Sequence, residues 1–164
     1  MREVWLRGGI VEGVPPLLQP VAHSLLQSRE EVEHLLTGMT PAVIWQARHG
    51  AATVGFHVLH ALGSLDRLFT YARGAMLSDA QLQVLRQEAG PDPELAADEL
   101  IAGFDAAVTR ALDQLRGTSA SALTDARAVG RGRLPSTVVG LLFHAAEHTQ
   151  RHIGQATSTA KLLA

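Results

Sequence analysis

Apolar positions recur along the chain at helical spacing, in blocks divided by glycine and proline. The first block predicts a helix from residue 15 or 18 to residue 36. Pro15 and Pro16 suit a helix start, while Pro20 falls in the opening turns and delays it. Gly38 stands just past the end, where a left-handed cap favours glycine. Residues 39–50, with Pro41 among them, read as a connection. A second helix is predicted over residues 52–73 and ended by Gly74. It is apolar on more than one side, with Val54, Val58, Leu62, Leu65 and Phe69 on one stripe and Phe56, Leu59 and Gly63 on another. Such a helix is either central or at a subunit interface. Residues 78–87 read as a short helix, because Ser78 and Gln81 have capping-box spacing.

The third long helix is expected to start at Asp92 and Pro93, an N-cap followed by proline. It continues through Leu100, Phe104, Val108, Ala111 and Leu115 and stops before Gly117. Residues 118–134, with Gly130, Gly132, Arg127, Arg131 and Arg133, are expected to form a loop. The last helix is predicted over residues 135–163. Four long amphipathic helices and one short one make an all-α four-helix bundle the natural architecture. The long segments before the third and fourth long helices leave a simple up-and-down path open to question. Residues 1–164 are expected to form one domain.

Composition supports helices: 46% of residues are apolar and only 4% aromatic, whereas strands enrich in aromatic and β-branched residues. There is no cysteine, so disulfides and thiolate metal sites are excluded. The net charge of −2 is scattered, with no basic patch to meet nucleic acid. Arg2, Glu3 and Arg7 interrupt the start, which has no apolar core of a signal peptide. No run of about 18 apolar residues reads as a membrane span. A cytoplasmic location is therefore expected, with no membrane and no nucleic-acid partner.

The feature that changes the picture is eight histidines. His144, His148 and His152 stand at i, i+4 and i+8 on the last helix, on one face. Adjacent imidazoles at that spacing reach one ion with bonds of about 2.0–2.1 Å. The outer two, about 12 Å apart along the axis, do not easily share it. Val138, Leu141, Leu142 and Ala145 mark the core side, and His148 and His152 follow Leu141 and Ala145 by one heptad each. His148 and His152 are thus the favoured ligands, with His144 beside them or at the mouth of the site. Burying several imidazoles on one stripe is costly without a shared purpose. The second helix offers His57 and His60, either of which can face the pair. Gly63 would make room beside an ion near His60. Three protein ligands leave coordination positions open, the pattern of a reactive site.

His144-Ala145-Ala146-Glu147-His148 also matches the inverted zincin pattern, with Glu147 as general base. That chemistry draws a carboxylate ligand from further along, and neither Asp nor Glu follows His148. The plainer role for Glu147 is an ion pair with Arg151 one turn on. His23, His34 and His49 have no matching partners, and surface or capping roles suit them better.

His60-Ala61-Leu62-Gly63-Ser64-Leu65-Asp66-Arg67-Leu68 and His148-Thr149-Gln150-Arg151-His152-Ile153-Gly154-Gln155 together resemble the DinB-like/YfiT superfamily of metal-binding four-helix bundles. The resemblance covers most of the chain. By it, His60, His148 and His152 match the three metal ligands. Ile153 stands where an arginine is common. The resemblance implies a divalent ion, nickel or zinc, in a homodimer, and transferase chemistry on a low-molecular-weight thiol such as bacillithiol, mycothiol or glutathione. In that reading a metal-activated thiol attacks an electrophilic substrate, and Arg67, Arg73, Arg131 or Arg133 binds the thiol's carboxylates. Two other readings stand beside it: a non-catalytic metal-binding stress-response module, and a metal-dependent hydrolase.

Overall fold

The computed structural model describes residues 2–48, 50–88, 90 and 94–163. A 3-10 turn, Pro16–Leu18, leads into α1, Gln19–Leu36. Pro20 lies in the first turn, where a missing N–H leaves no helical bond unmade. Gly38 adopts φ +82°, the left-handed conformation expected of it. Within the predicted connection, Pro41–Ile44 folds into a single helical turn, α2. Proline opens it at a position that tolerates proline, and Ile44 is fully buried.

Helix α3 spans Val54–Ala72, and its N-cap, the Thr53 hydroxyl, accepts a 3.0 Å bond from the Phe56 amide. Helix α4, Asp79–Gln87, carries the expected capping box: the Gln81 amide donates to Ser78 Oγ at 3.2 Å, and Gln81 Oε1 accepts from the Ser78 amide at 2.9 Å. Helix α5 is Ala97–Arg116, later than the sequence pattern predicts. The predicted start at Asp92 and Pro93 lies outside the described residues. At the observed start, Glu99 accepts a 3.0 Å bond from the Ala96 amide.

The expected loop over residues 118–134 is the clearest departure. It contains a 3-10 turn, Ala120–Ala122, and an antiparallel hairpin of β1, Ala126–Val129, and β2, Leu134–Thr137. Gly130 at φ 64° and Arg133 at φ 48° turn the chain between the strands. Pro135 belongs to β2 and pairs with Ala128 rather than opening the last helix. In a two-stranded ribbon each strand has an edge, where a residue without an N–H is tolerated. Helix α6 therefore begins at Val138, with Thr137 Oγ1 capping the Gly140 amide at 3.1 Å, and runs to Leu163.

Around the bundle the long helices follow the order α1, α6, α3, α5, so that α1 and α3 occupy opposite corners. The path is not a simple up-and-down meander. Helix α3 packs on α6, α5, α4 and β1, which accounts within one chain for its apolar character on several sides. Phe104, Leu65, Leu142, Leu25 and Ile153 fill the centre. Each such side chain contributes about 1.5–3 kcal/mol through burial. Among the described residues, no helix is long and apolar enough to cross a membrane.

Candidate metal centre

The site lies where α3 meets α6. Its buried row on α6 is Leu141, Leu142, Ala145, Ala146, Thr149, Ile153 and Ala156. His148 and His152 are half-buried on the shoulder of that row, not in it. A straight helix drifts about 20° per heptad from a strict seven-residue repeat. The heptad count therefore carries these histidines off the core face and turns them toward α3. There the two helices run antiparallel, since His57 meets His152 while His60 meets His148.

His60, His148 and His152 each offer a nitrogen, and all three nitrogens lie within 4.8 Å of one another. Nε2 of His60 and Nε2 of His148 are 3.1 Å apart. Two imidazole nitrogens on a tetrahedral ion with bonds of about 2.0–2.1 Å are separated by about 3.3 Å. That edge of the cluster therefore already has a metal-site span. The His152 ring centroid is 4.5 Å from that of His60 and 4.6 Å from that of His148. Donor chemistry and spacing both fit a divalent transition metal.

Protonation favours the same use. The His152 pKa is lowered to about 4, first by burial and then by the charges of His60, His148, His57 and Arg151 beside it. His148 is also lowered, chiefly by burial, then by His60, Arg151 and His144. Both rings are therefore neutral near pH 7, the form that donates a lone pair to a metal.

The sequence pattern did not single out Glu88, which caps the C-terminus of α4 and is only 8% exposed. Its Oε2 lies 2.9 Å from Nδ1 of His60. The other carboxylate oxygen accepts from Arg67 Nη1, and Arg67 Nη2 donates to Ser64 Oγ at 3.2 Å. A carboxylate accepts only, so Nδ1 of His60 carries the proton and Nε2 presents its lone pair to the cluster. Phe56 lies parallel to the His60 ring, with centroids 5.6 Å apart and a 10° tilt. Gly63 was expected to make room beside an ion; the room is taken by Glu88 and Arg67. A Cβ there would stand 2.2 Å from Glu88 Oε1 and 2.7 Å from Arg67 Nη1. The mid-helix Gly63, one turn before Arg67, is the one sequence feature that could have pointed to a close approach here.

His57 is buried, its pKa lowered by burial and by His60, with Nδ1 3.1 Å from Nδ1 of His152. His144 is exposed and bonds Glu147 at 3.1 Å. Glu147 also accepts from Arg151 at 2.9 Å. Arg151 approaches Nδ1 of His148 at 3.1 Å. Arg67 faces the site but is held by Glu88. Arg73 is not brought to the site: it sits at the other end of α3, where Nη2 donates to Thr70 at 3.0 Å and Nη1 to Gln114. Arg131 and Arg133 lie in the hairpin turn. His23 bonds the Gly9 carbonyl at 3.2 Å and His34 is exposed, while His49 lies outside the described residues.

A cleft of about 300 Å³ opens beside His60 and His148. Ser64, Arg67 and His144 line it together with Leu68, Tyr71, Leu77 and Leu85. The cleft reaches the cluster on its His60–His148 side.

Fold and site define the class: a helical bundle with a three-histidine cluster able to coordinate a divalent metal ion. The DinB superfamily model matches residues 24–156, and the chain belongs to that superfamily. A conserved protein from Enterococcus faecalis has the same fold, with a TM-score of 0.68 at 22% identity, over 89% of this chain and 96% of that one. A DinB-like protein from Bacillus cereus matches with a TM-score of 0.66 at 14% identity, over 87% of this chain and 89% of that one. No curated protein matches the chain.

Proposed function

We propose that the protein is a divalent-metal enzyme, a transferase joining a low-molecular-weight thiol to an electrophilic substrate. His60, His148 and His152 hold the ion, nickel or zinc. The observation that carries the reading is the cleft beside His60 and His148, which gives a small molecule access to the cluster. An ion held by three neutral imidazoles keeps its full positive charge and makes a thiol or water that reaches it a better nucleophile at neutral pH. The chain's own part is to keep His148 and His152 neutral, to fix His60 through Glu88 and Phe56, and to shelter the substrate against Leu68, Leu77 and Leu85. His57 stands behind His152 and steadies its ring. His144 and Glu147 form the mouth. A homodimer in the cytoplasm completes the proposal, to be checked by light scattering and cell fractionation.

One observation favours a second reading, a metal-binding stress-response module without catalysis. Arg67, the cation inside the cleft, is engaged by Glu88, and Glu147 at the mouth by Arg151 and His144. The deciding experiment has two stages. Elemental analysis of His60→Ala, His148→Ala and His152→Ala should each show strong loss of metal, and His23→Ala none. The metallated protein is then mixed with glutathione, bacillithiol or mycothiol and monobromobimane. Metal-dependent conjugation supports the transferase. Bound metal without any rate above background supports the second reading, and unchanged metal content in all three variants removes both.

A further inference from the structure

We infer that Glu88, carried on α4, is the positioning residue of the metal centre, and that Arg67 holds Glu88 in place for that task. The inference rests on the proposed metal centre and adds a group that touches no ion. Its basis is three facts of geometry. Glu88 is 8% exposed, yet both its oxygens are occupied. One accepts from His60 Nδ1 at 2.9 Å, and the other pairs with Arg67. Gly63, inside α3, leaves space that the pair occupies: a Cβ there would collide with both partners.

The pair is an uneconomical way to stabilise a bundle. Desolvating a carboxylate and a guanidinium costs several kcal/mol, and apolar side chains of similar size often replace such pairs without loss. Its position makes sense as orientation. An imidazole has two nitrogens, and a metal needs one particular nitrogen bare and aimed. A carboxylate on Nδ1–H settles the tautomer, stops the ring from flipping, and makes Nε2 more basic. Ser64 completes the arrangement, accepting from Arg67 and standing 3.3 Å from His60 Nε2. Helix α4 has no buried residue of its own within Asp79–Gln87, and its first turn is held to α3 by Gln81, which donates to Asp66 Oδ2 at 2.6 Å and Thr70 Oγ1 at 2.8 Å. Glu88 therefore ties a helix with little core of its own to the metal site. Leu85, one turn earlier, lines the cleft.

The test compares two double variants that both lack the buried charges. Arg67→Met with Glu88→Gln keeps an acceptor for His60 Nδ1–H, and Arg67→Met with Glu88→Leu removes it. Nickel and zinc affinities are measured by competition titration, after circular dichroism has matched the variants for folding. Loss of such a partner typically weakens metal binding about 10–100-fold. The Leu variant should show that loss, and the Gln variant should stay within a few-fold of wild type. In the metal-free protein, ¹⁵N NMR should report His60 protonated at Nδ1 in wild type and the Gln variant, and a mixed tautomer in the Leu variant. A purely structural pair would leave the tautomer and the relative affinities alone. Equal affinity of the two double variants, or a His60 tautomer that ignores the substitution, overturns the inference while leaving the ligand assignment standing. Wild-type protein that takes up neither metal overturns both.

Discussion

Substituting alanine for Gly63 separates two effects of opposite sign. Within a helix the change should be favourable, since alanine exceeds glycine by about 0.8–1.0 kcal/mol in helix propensity. Here the new methyl would lie 2.2 Å from Glu88 Oε1, 2.7 Å from Arg67 Nη1 and 3.3 Å from Glu88 Cδ. These are tips of flexible side chains, so the backbone of α3 can stay where it is. The tips must part, however, and each hydrogen bond to a charged group contributes about 1.5–3 kcal/mol. Losing one such bond against the propensity gain leaves Gly63→Ala less stable by about 0.5–2 kcal/mol. For a chain of this size that is a fall of roughly 2–4 °C in Tm per kcal/mol. Gly154→Ala on α6 is the control, because no atom lies within 4 Å of a Cβ there, and it should stabilise by about 0.8–1.0 kcal/mol. Urea denaturation of the metal-free proteins measures both. Gly63→Ala should also weaken nickel or zinc binding, because the displaced carboxylate no longer reaches His60. If Gly63→Ala instead gains the same stability as Gly154→Ala and binds metal normally, the Glu88–Arg67 pair holds nothing in place.

The metal-free protein should lose stability on acidification. His57, His148 and His152 have folded pKa values below the ordinary 6.5, so the folded chain takes up fewer protons than the unfolded one. Their effect is absent above about pH 6.5 and grows as pH falls toward about 4, the His152 value. Melting curves should drop across that window and drop less for His152→Ala; a Tm that rises on acidification contradicts the sign. Arg73→Ala should leave metal affinity unchanged in calorimetric titration, since Arg73 lies about 20 Å from His60 along the axis of α3. A several-fold loss would mean that this end of the bundle communicates with the site. Leu142→Ala, at a fully buried position, should cost about 2–5 kcal/mol in urea denaturation. A loss under about 1 kcal/mol would mean that the centre of the bundle closes over the gap.

Local signals were the ones the amino-acid sequence made legible. Gly38 and Gly74 end helices in the left-handed conformation, and Ser78 with Gln81 caps α4, because these are matters of a few neighbouring residues. The spacing of His148 and His152 is of the same kind. The hairpin of β1 and β2 escaped because its strands are four residues each, with no clean alternation, and its turn uses a non-glycine residue at positive φ. The start of α6 was misplaced for a related reason: Pro135 suits a helix start and an edge strand equally, and pairing with Ala128 decides between them. Which of His57 and His60 meets His148 depends on how α3 is rotated against α6. No periodicity of either helix alone contains that rotation.

Glu88 shows the limit most clearly. It lies 21 positions from Arg67 and 28 from His60, at the end of a helix whose own pattern is that of a solvated surface. Read along the chain it is one acid among many. Its effect on the site is larger than its anonymity. As a sequence feature, Arg67 was a free cation fit to bind the carboxylate of a thiol cofactor; in the fold its charge is matched by Glu88, and the pair is neutral together. The inner cleft then presents Leu68, Tyr71, Leu77 and Leu85 with no unmatched charge among the lining residues. Under the proposed function, a cation for a polar thiol would have to come from Arg151, which approaches Nδ1 of His148, is 51% exposed and is shared with Glu147. The apolar walls suit the electrophile. That Arg67 is not a free cation in the cleft thus follows from an ion pair whose partners stand 21 positions apart in the chain.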